Sequence, residues 1–179
     1  MTFQQVTFMN LRYTIALSLP LLGAPALATD LAVKLTLPQL NVAEYHKPYV
    51  ALWLERPDQS FVGNFAVLYD LKKKDHGGEK WLKDMRTWWR KSGRELDMPV
   101  DGVSGATRAA GEHVLNFAGN KSPLLNLAPG EYHMVVEAAR EAGGREVLRI
   151  PFNWPAAKAQ TVAAAGKHEL GALSLQFKP

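Results

Sequence analysis

The sequence predicts a mainly β protein, an antiparallel β-sandwich with one inserted amphipathic helix, and three observations carry that reading. Short apolar-alternating segments recur along most of the chain with turn residues between them, the pattern of half-buried strands. A single stretch, Glu79 to Ser92, changes to a helical period. Eight or so short strands at near-regular spacing, with one helix inserted, argue for an antiparallel β-sandwich.

Each element has its own signal. Leu31 to Leu37 alternates, with Leu31, Val33, Leu35 and Leu37 on one face, and Pro38 ends it. Tyr49 to Glu55 is rich in aromatic and branched residues and closes at Arg56-Pro57. Asp58-Gln59-Ser60 reads as a hairpin loop into Phe61 to Tyr69, where Gly63 marks an expected bulge. Asp75 to Glu79 reads as a loop; then Trp81, Met85, Trp88 and Trp89 recur at helical spacing, with Gly93 as the stop. The signals in the later chain are equally local: Glu112 to Ala118 reads as a strand, and Gly119 to Pro123 as a loop. Glu131 to Arg140 and Arg145 to Phe152 flank Glu141-Ala142-Gly143-Gly144, a hairpin signal. Ala156 to Gly166 reads as an exposed connector with a short edge strand at Thr161 to Ala163, and Leu170 to Phe177 closes the chain. The strand, loop and Pro-Gly-Glu-Tyr sequence between Gly111 and Glu137 resembles immunoglobulin-like accessory domains of exported bacterial proteins, which implies that variety of sandwich.

The first residues read as an export signal. Arg12 precedes an apolar run, Tyr13 to Leu22, too short to span a bilayer, and Ala26-Leu27-Ala28 is a small-residue cleavage site. Residues 1–28, starting at Met1 or Met9, are expected to be removed, leaving 29–179 as one soluble periplasmic domain without a lipid anchor. The chain has no cysteine, which excludes disulfides, c-type haem attachment and thiol redox chemistry, so the core must be held by packing. Charge is unevenly placed: Lys72 to Arg94 holds nine basic and three acidic residues, a net of +6. In an exported protein such a segment suits an anionic membrane surface, an acidic protein or a phosphate-bearing ligand rather than nucleic acid. The expected docking residues are Lys80, Lys83, Arg86 and Arg90 with Trp81, Trp88 and Trp89; a solvated helix face over a core stripe is the plainer reading.

The most specific chemistry lies in Asp101-Gly102-Val103-Ser104-Gly105-Ala106-Thr107. Its glycines let a backbone turn sharply and let another molecule come close. The stretch resembles the acceptor motif of bacterial flavin transferases, which implies FMN joined through its phosphate to Thr107. That resemblance makes Asp101, Ser104 and Gly105 part of the recognised motif, Arg108 a partner for the phosphate, and the tryptophans neighbours of the isoalloxazine. The hydroxyl residue usual three positions later is Ala110 here. Without modification, the stretch is a tight loop in which Thr107 bonds its own turn.

As a whole, residues 30–178 resemble a family of exported bacterial domains of unknown function, through Pro48 to Glu55, Lys80-Trp81, Ser104 to Gly111 and Gly130 to Glu141. Genes of that family tend to lie near PepSY-containing membrane proteins and flavin transferases. The resemblance implies an accessory role in a membrane-linked flavin or iron-reduction system, with those two proteins as partners. The alternative is a cofactor-free module that docks a membrane protein through its basic helix. No catalytic constellation is apparent: Ser104 lacks the first glycine of a nucleophile elbow. The five histidines have no metal-ligand spacing, although His113 and His133 sit on predicted strands where a cross-sheet pair is conceivable.

Overall fold

The structure, a computed structural model, describes residues 29–179; the expected signal peptide lies outside them. Among the described residues nine strands form two sheets: β1 (Asp30–Leu37), β2 (Tyr49–Glu55), β3 (Phe61–Tyr69), β4 (Ser104–Ala106), β5 (Gly111–Phe117), β6 (Gly130–Ala139), β7 (Arg145–Trp154), β8 (Gln160–Ala165) and β9 (Ala172–Lys178). One sheet runs β5-β1-β9-β8 and the other β4-β3-β2-β6-β7. All pairings are antiparallel except β3 with β4.

Period-two alternation explains how the sheets meet. Leu31, Val33, Leu35 and Leu37 of β1 and Leu173, Leu175 and Phe177 of β9 face Val50, Leu52 and Leu54 of β2 and Met134, Val136 and Ala138 of β6, all buried. Phe152 of β7 stacks between Tyr132 and Phe177, with ring centroids 6.2 and 5.0 Å away. The alternate residues of the larger sheet, Ala51, Trp53, Val67, Tyr69, Val135 and Ala139, point away from this core and are buried all the same. What covers them is the segment between β3 and β4, which supplies Leu82, Met85 and Trp88. The larger sheet is thus apolar on both faces, and the molecule has a second core.

That covering segment differs from the expected single helix. Glu79–Asp84 is 3₁₀, Met85 leaves helical geometry at φ −75°, ψ 69°, and only Arg86–Lys91 is α-helical (α1). The buried positions fall every third residue, at 82, 85 and 88, where an α-helical stripe would place Trp81 and Trp89 inward as well. Trp88 is fully buried and donates from Nε1 to Asn64 Oδ1 at 2.9 Å, so it has no surface with which to dock a partner. Trp81 and Trp89 are half-buried.

Other strands match their expected limits to within a few residues, with three corrections. Gly63 pairs with Leu54, and the register shifts of the β2–β3 pair fall on either side of it. Residues 160–165 are a full strand against β9, because the alternate side chains Val162 and Ala164 reach the core. Ser104–Ala106, expected within a turn, is a strand. His113 and His133 lie in different sheets, and His113 Nε2 is bonded to Ala109 O at 2.7 Å.

Trp88 and Trp81 separate the buried from the half-buried positions of the segment in an experiment. Trp88→Ala should lose about 3–5 kcal/mol in urea unfolding, while Trp81→Ala should cost far less; equal losses would contradict this packing.

Candidate functional site

The acceptor-like motif begins as a turn and ends as an edge strand. Gly102 adopts φ +70°, which suits a residue without Cβ. The Val103 and Ser104 N–H groups both donate to Val100 O, at 3.2 and 2.8 Å. Ser104 Oγ accepts from Val100 N–H at 2.9 Å, so its hydroxyl ties the turn. The chain then runs parallel to β3, pairing Ser104, Gly105 and Ala106 with Val67, Leu68 and Tyr69. A Cβ on Gly105 would lie 2.8 Å from Leu68 Cδ2; the glycine permits that approach. Thr107 N–H donates to Tyr69 O at 3.1 Å, which holds this residue at the strand end.

Thr107 there lines a cleft of about 280 Å³. Trp81 and Asp84 from the covering segment form one wall, and Tyr45, His46, Lys47 and Tyr49 another. Asp70, Lys73, Ala139 and Glu141 complete it. Of the sequence-predicted residues, Thr107 and Trp81 are brought together. Asp101 and Ser104 instead border a separate shallow depression beside Leu71. Arg108 is exposed next to Thr107, while Lys80, Lys83, Arg86 and Arg90 are all exposed along the covering segment. Arg86 borders a second cleft, with Arg145 and the Gly143-Gly144 turn, that shares Asp84 and Ala139 with the first.

The aromatic wall is anchored. Tyr49 Oη donates to Gly78 O at 3.0 Å, and its ring meets Tyr69 edge-on at 6.2 Å. Burial raises the Tyr49 pKa above its ordinary value of 10. Burial likewise raises that of Tyr45, with Arg140 opposing it. Tyr45 Oη is itself buried with no hydrogen-bond partner among the described residues.

Four carboxylates that sequence patterning passed over set the cleft's frame. Glu137, fully buried on β6, accepts from the Thr87 and Trp88 N–H groups at 3.1 and 2.7 Å and from Arg145 Nε. It thereby caps the first turn of α1 from a neighbouring strand, where a residue within the segment would ordinarily do so. Glu55, also fully buried, takes Trp53 Nε1 at 2.8 Å, Lys91 Nζ at 3.1 Å and Arg149 Nε at 3.2 Å. Glu169 receives Arg140 through Nε and Nη2 at 3.1 and 3.0 Å and the Gly144 N–H at 2.9 Å. Glu146 accepts four successive backbone N–H groups, Lys167 to Leu170, at 2.7–3.0 Å. A signal existed in the sequence for the first two: an acid within an apolar strand, as Glu137, or closing one, as Glu55, needs a cation once buried, and Lys91, Arg145 and Arg149 supply them.

Residues 30–172 match the family described as predicted periplasmic protein (DUF2271), and the chain belongs to that family. No curated protein and no solved structure matches the chain. Among the described residues no helix is long and apolar enough to cross a membrane.

The Glu146 environment gives a pH dependence. Burial pushes its carboxyl upward, but the four N–H donors together outweigh this and hold its pKa below the ordinary 4.5. A pKa lower in the folded than the unfolded protein stabilises above the unfolded value and is lost as pH falls through the folded one. Urea midpoints of wild type and Glu146→Gln should therefore differ most at neutral pH and converge as the pH falls below the ordinary carboxylate range; parallel curves would remove Glu146 from the acid response.

Proposed function

We propose that the protein is a periplasmic accessory of a membrane-linked flavin or iron-reduction electron-transfer system that carries FMN covalently on Thr107. The observation that supports this reading is the meeting of Thr107 and Trp81, distant in sequence, on one cleft with Lys73 and Tyr49. The Thr107 oxygen would displace the leaving group on the FMN phosphorus of a flavin nucleotide that the transferase brings, its proton passing to solvent; Lys47 and Lys73 in the cleft, with Arg108 beside it, would offset the charge of the resulting phosphodiester. Trp81 and the tyrosines offer apolar ring surfaces to the isoalloxazine. The cleft lies near the lower limit for small-molecule pockets, about 300 Å³, and a covalent tether lessens the need for enclosure by keeping the group's effective concentration high. Bound FMN would supply one- and two-electron transfer, chemistry that a chain without cysteine lacks among its own side chains.

A transferase must reach the acceptor hydroxyl, and Ala106 and Arg108 on either side of Thr107 are exposed. The partners in this reading are that flavin transferase and a PepSY-type membrane protein. We read the two packed sheets as an immunoglobulin-like sandwich, a rigid body on whose edge the motif is displayed. The second reading, a cofactor-free docking module, is favoured by the exposure of Lys80, Lys83, Arg86 and Arg90; buried Trp88 would have no part in such docking.

Co-expression with a flavin transferase in a periplasm, followed by intact mass measurement, tests the proposal. Wild type and Ser104→Ala should gain one FMN less one water, and Thr107→Ala should gain nothing. Unmodified wild type beside a modified control acceptor would leave the docking module.

A further inference from the structure

The covering segment opens, directly after β3, with an exposed basic loop. Residues Leu71 to His76 are all exposed, and Leu71, a large apolar residue, is 36% exposed. It is followed directly by Lys72, Lys73 and Lys74. The loop is a closed projection. Its ends touch so tightly that a Cβ on Gly78 would lie 2.1 Å from Asp70 O. Tyr49 Oη holds Gly78 O from the sheet. Lys73 and Gly77 N–H groups bond back to Asp70 O and Lys74 O, at 3.3 and 2.9 Å. Asp75 and His76 both take left-handed backbone angles, φ 52° and 54°, to make the return. The loop's own acid is Asp75, and Glu79 at its base is taken by His76 at 2.7 Å.

We infer that this Leu71-Lys72-Lys73-Lys74 loop is a docking point for an anionic phospholipid surface. Charge complementarity argues for it: the loop begins the segment of net +6, whereas the rest of residues 29–179 has eleven basic and fourteen acidic residues. Positive charge is therefore concentrated on the segment that covers the outer face of the larger sheet. The chemistry of the residues argues for lipid over an acidic protein. Lysine is a strongly hydrated point charge on a flexible stem, suited to a mobile layer of headgroups, whereas arginine's planar fork suits fixed carboxylates. An exposed leucine beside lysines can enter the headgroup boundary while they stay at its surface. Lys73 also lines the Thr107 cleft, so docking through this loop would bring the cleft mouth to the bilayer. The inference does not depend on a flavin at Thr107.

The test is co-sedimentation of the purified periplasmic protein with phosphatidylglycerol-containing or pure phosphatidylcholine vesicles. Wild type should partition onto the anionic vesicles alone, and added salt should release it. Replacing Lys72, Lys73 and Lys74 together by Gln should weaken binding on the order of 100-fold, from about 1 kcal/mol per lysine near a charged surface. Leu71→Ser should weaken it less, and Lys121→Gln with Lys158→Gln should leave it unchanged. These substitutions lie on exposed backbone, and circular dichroism verifies that each variant is folded. Wild type that ignores anionic vesicles, or a triple variant that binds them as wild type does, would overturn the inference. So would lysine-dependent capture by an acidic protein without vesicle binding.

Discussion

The buried Glu137 carboxylate is the interaction on which the arrangement of the candidate site depends. It projects from the outer face of the larger sheet, where an unpaired charge would be costly. Arg145 from the adjacent strand and two backbone N–H groups of α1 satisfy it together. The same contact restarts a helix that Met85 has interrupted and sets its rotation, so that Trp88 faces the sheet. Removing such a carboxylate would leave both Arg145 and the helix start without a partner, which is why one-sided loss of a buried pair is typically severe.

Glu55 does the same work at the other end of α1, where Lys91 reaches it from the last turn. A six-residue helix has little stability of its own. Here it is held at its first turn by one buried acid and at its last by another, with Trp88 packed between them. The wall bearing Trp81 is positioned by that clamp. The opposite wall depends on the β6–β7 hairpin, where Arg140, Glu169 and Gly144 form a second buried network beneath Tyr45 and Glu141. The cleft is thus set between two electrostatic clamps, and Thr107 enters it from the end of β4.

Membership of a predicted periplasmic family agrees with the absence of cysteine in a different way than a disulfide-rich exported domain would. Stability here comes from two apolar layers, one on each face of the larger sheet, supplemented by buried ion pairs. That construction leaves the β3–β4 crossover free to carry charge outward. Its inward residues every third position meet the sheet, and the lysines and arginines between them meet solvent.

Strands whose side chains alternate are legible without any contact map, because period-two burial is a local property: β2 and β3 begin and end where their patterns do. It also marked the basic segment and the acceptor-like motif, since charge and glycine spacing are visible without contacts. Features that depend on partners far along the chain emerge only from packing. β4 is three residues long and exists because β3 lies beside it in parallel. The expected helix is broken because Leu82, Met85 and Trp88 must all reach the sheet while Glu137 fixes where α1 starts. Glu55 and Glu137 are interruptions in apolar strands until their cations are seen. The meeting of Thr107 with Trp81 is likewise a consequence of packing: Thr107 is held by Tyr69 of β3, and Trp81 by a segment clamped to β2 and β6. Those contacts join residues that no periodicity in the sequence relates.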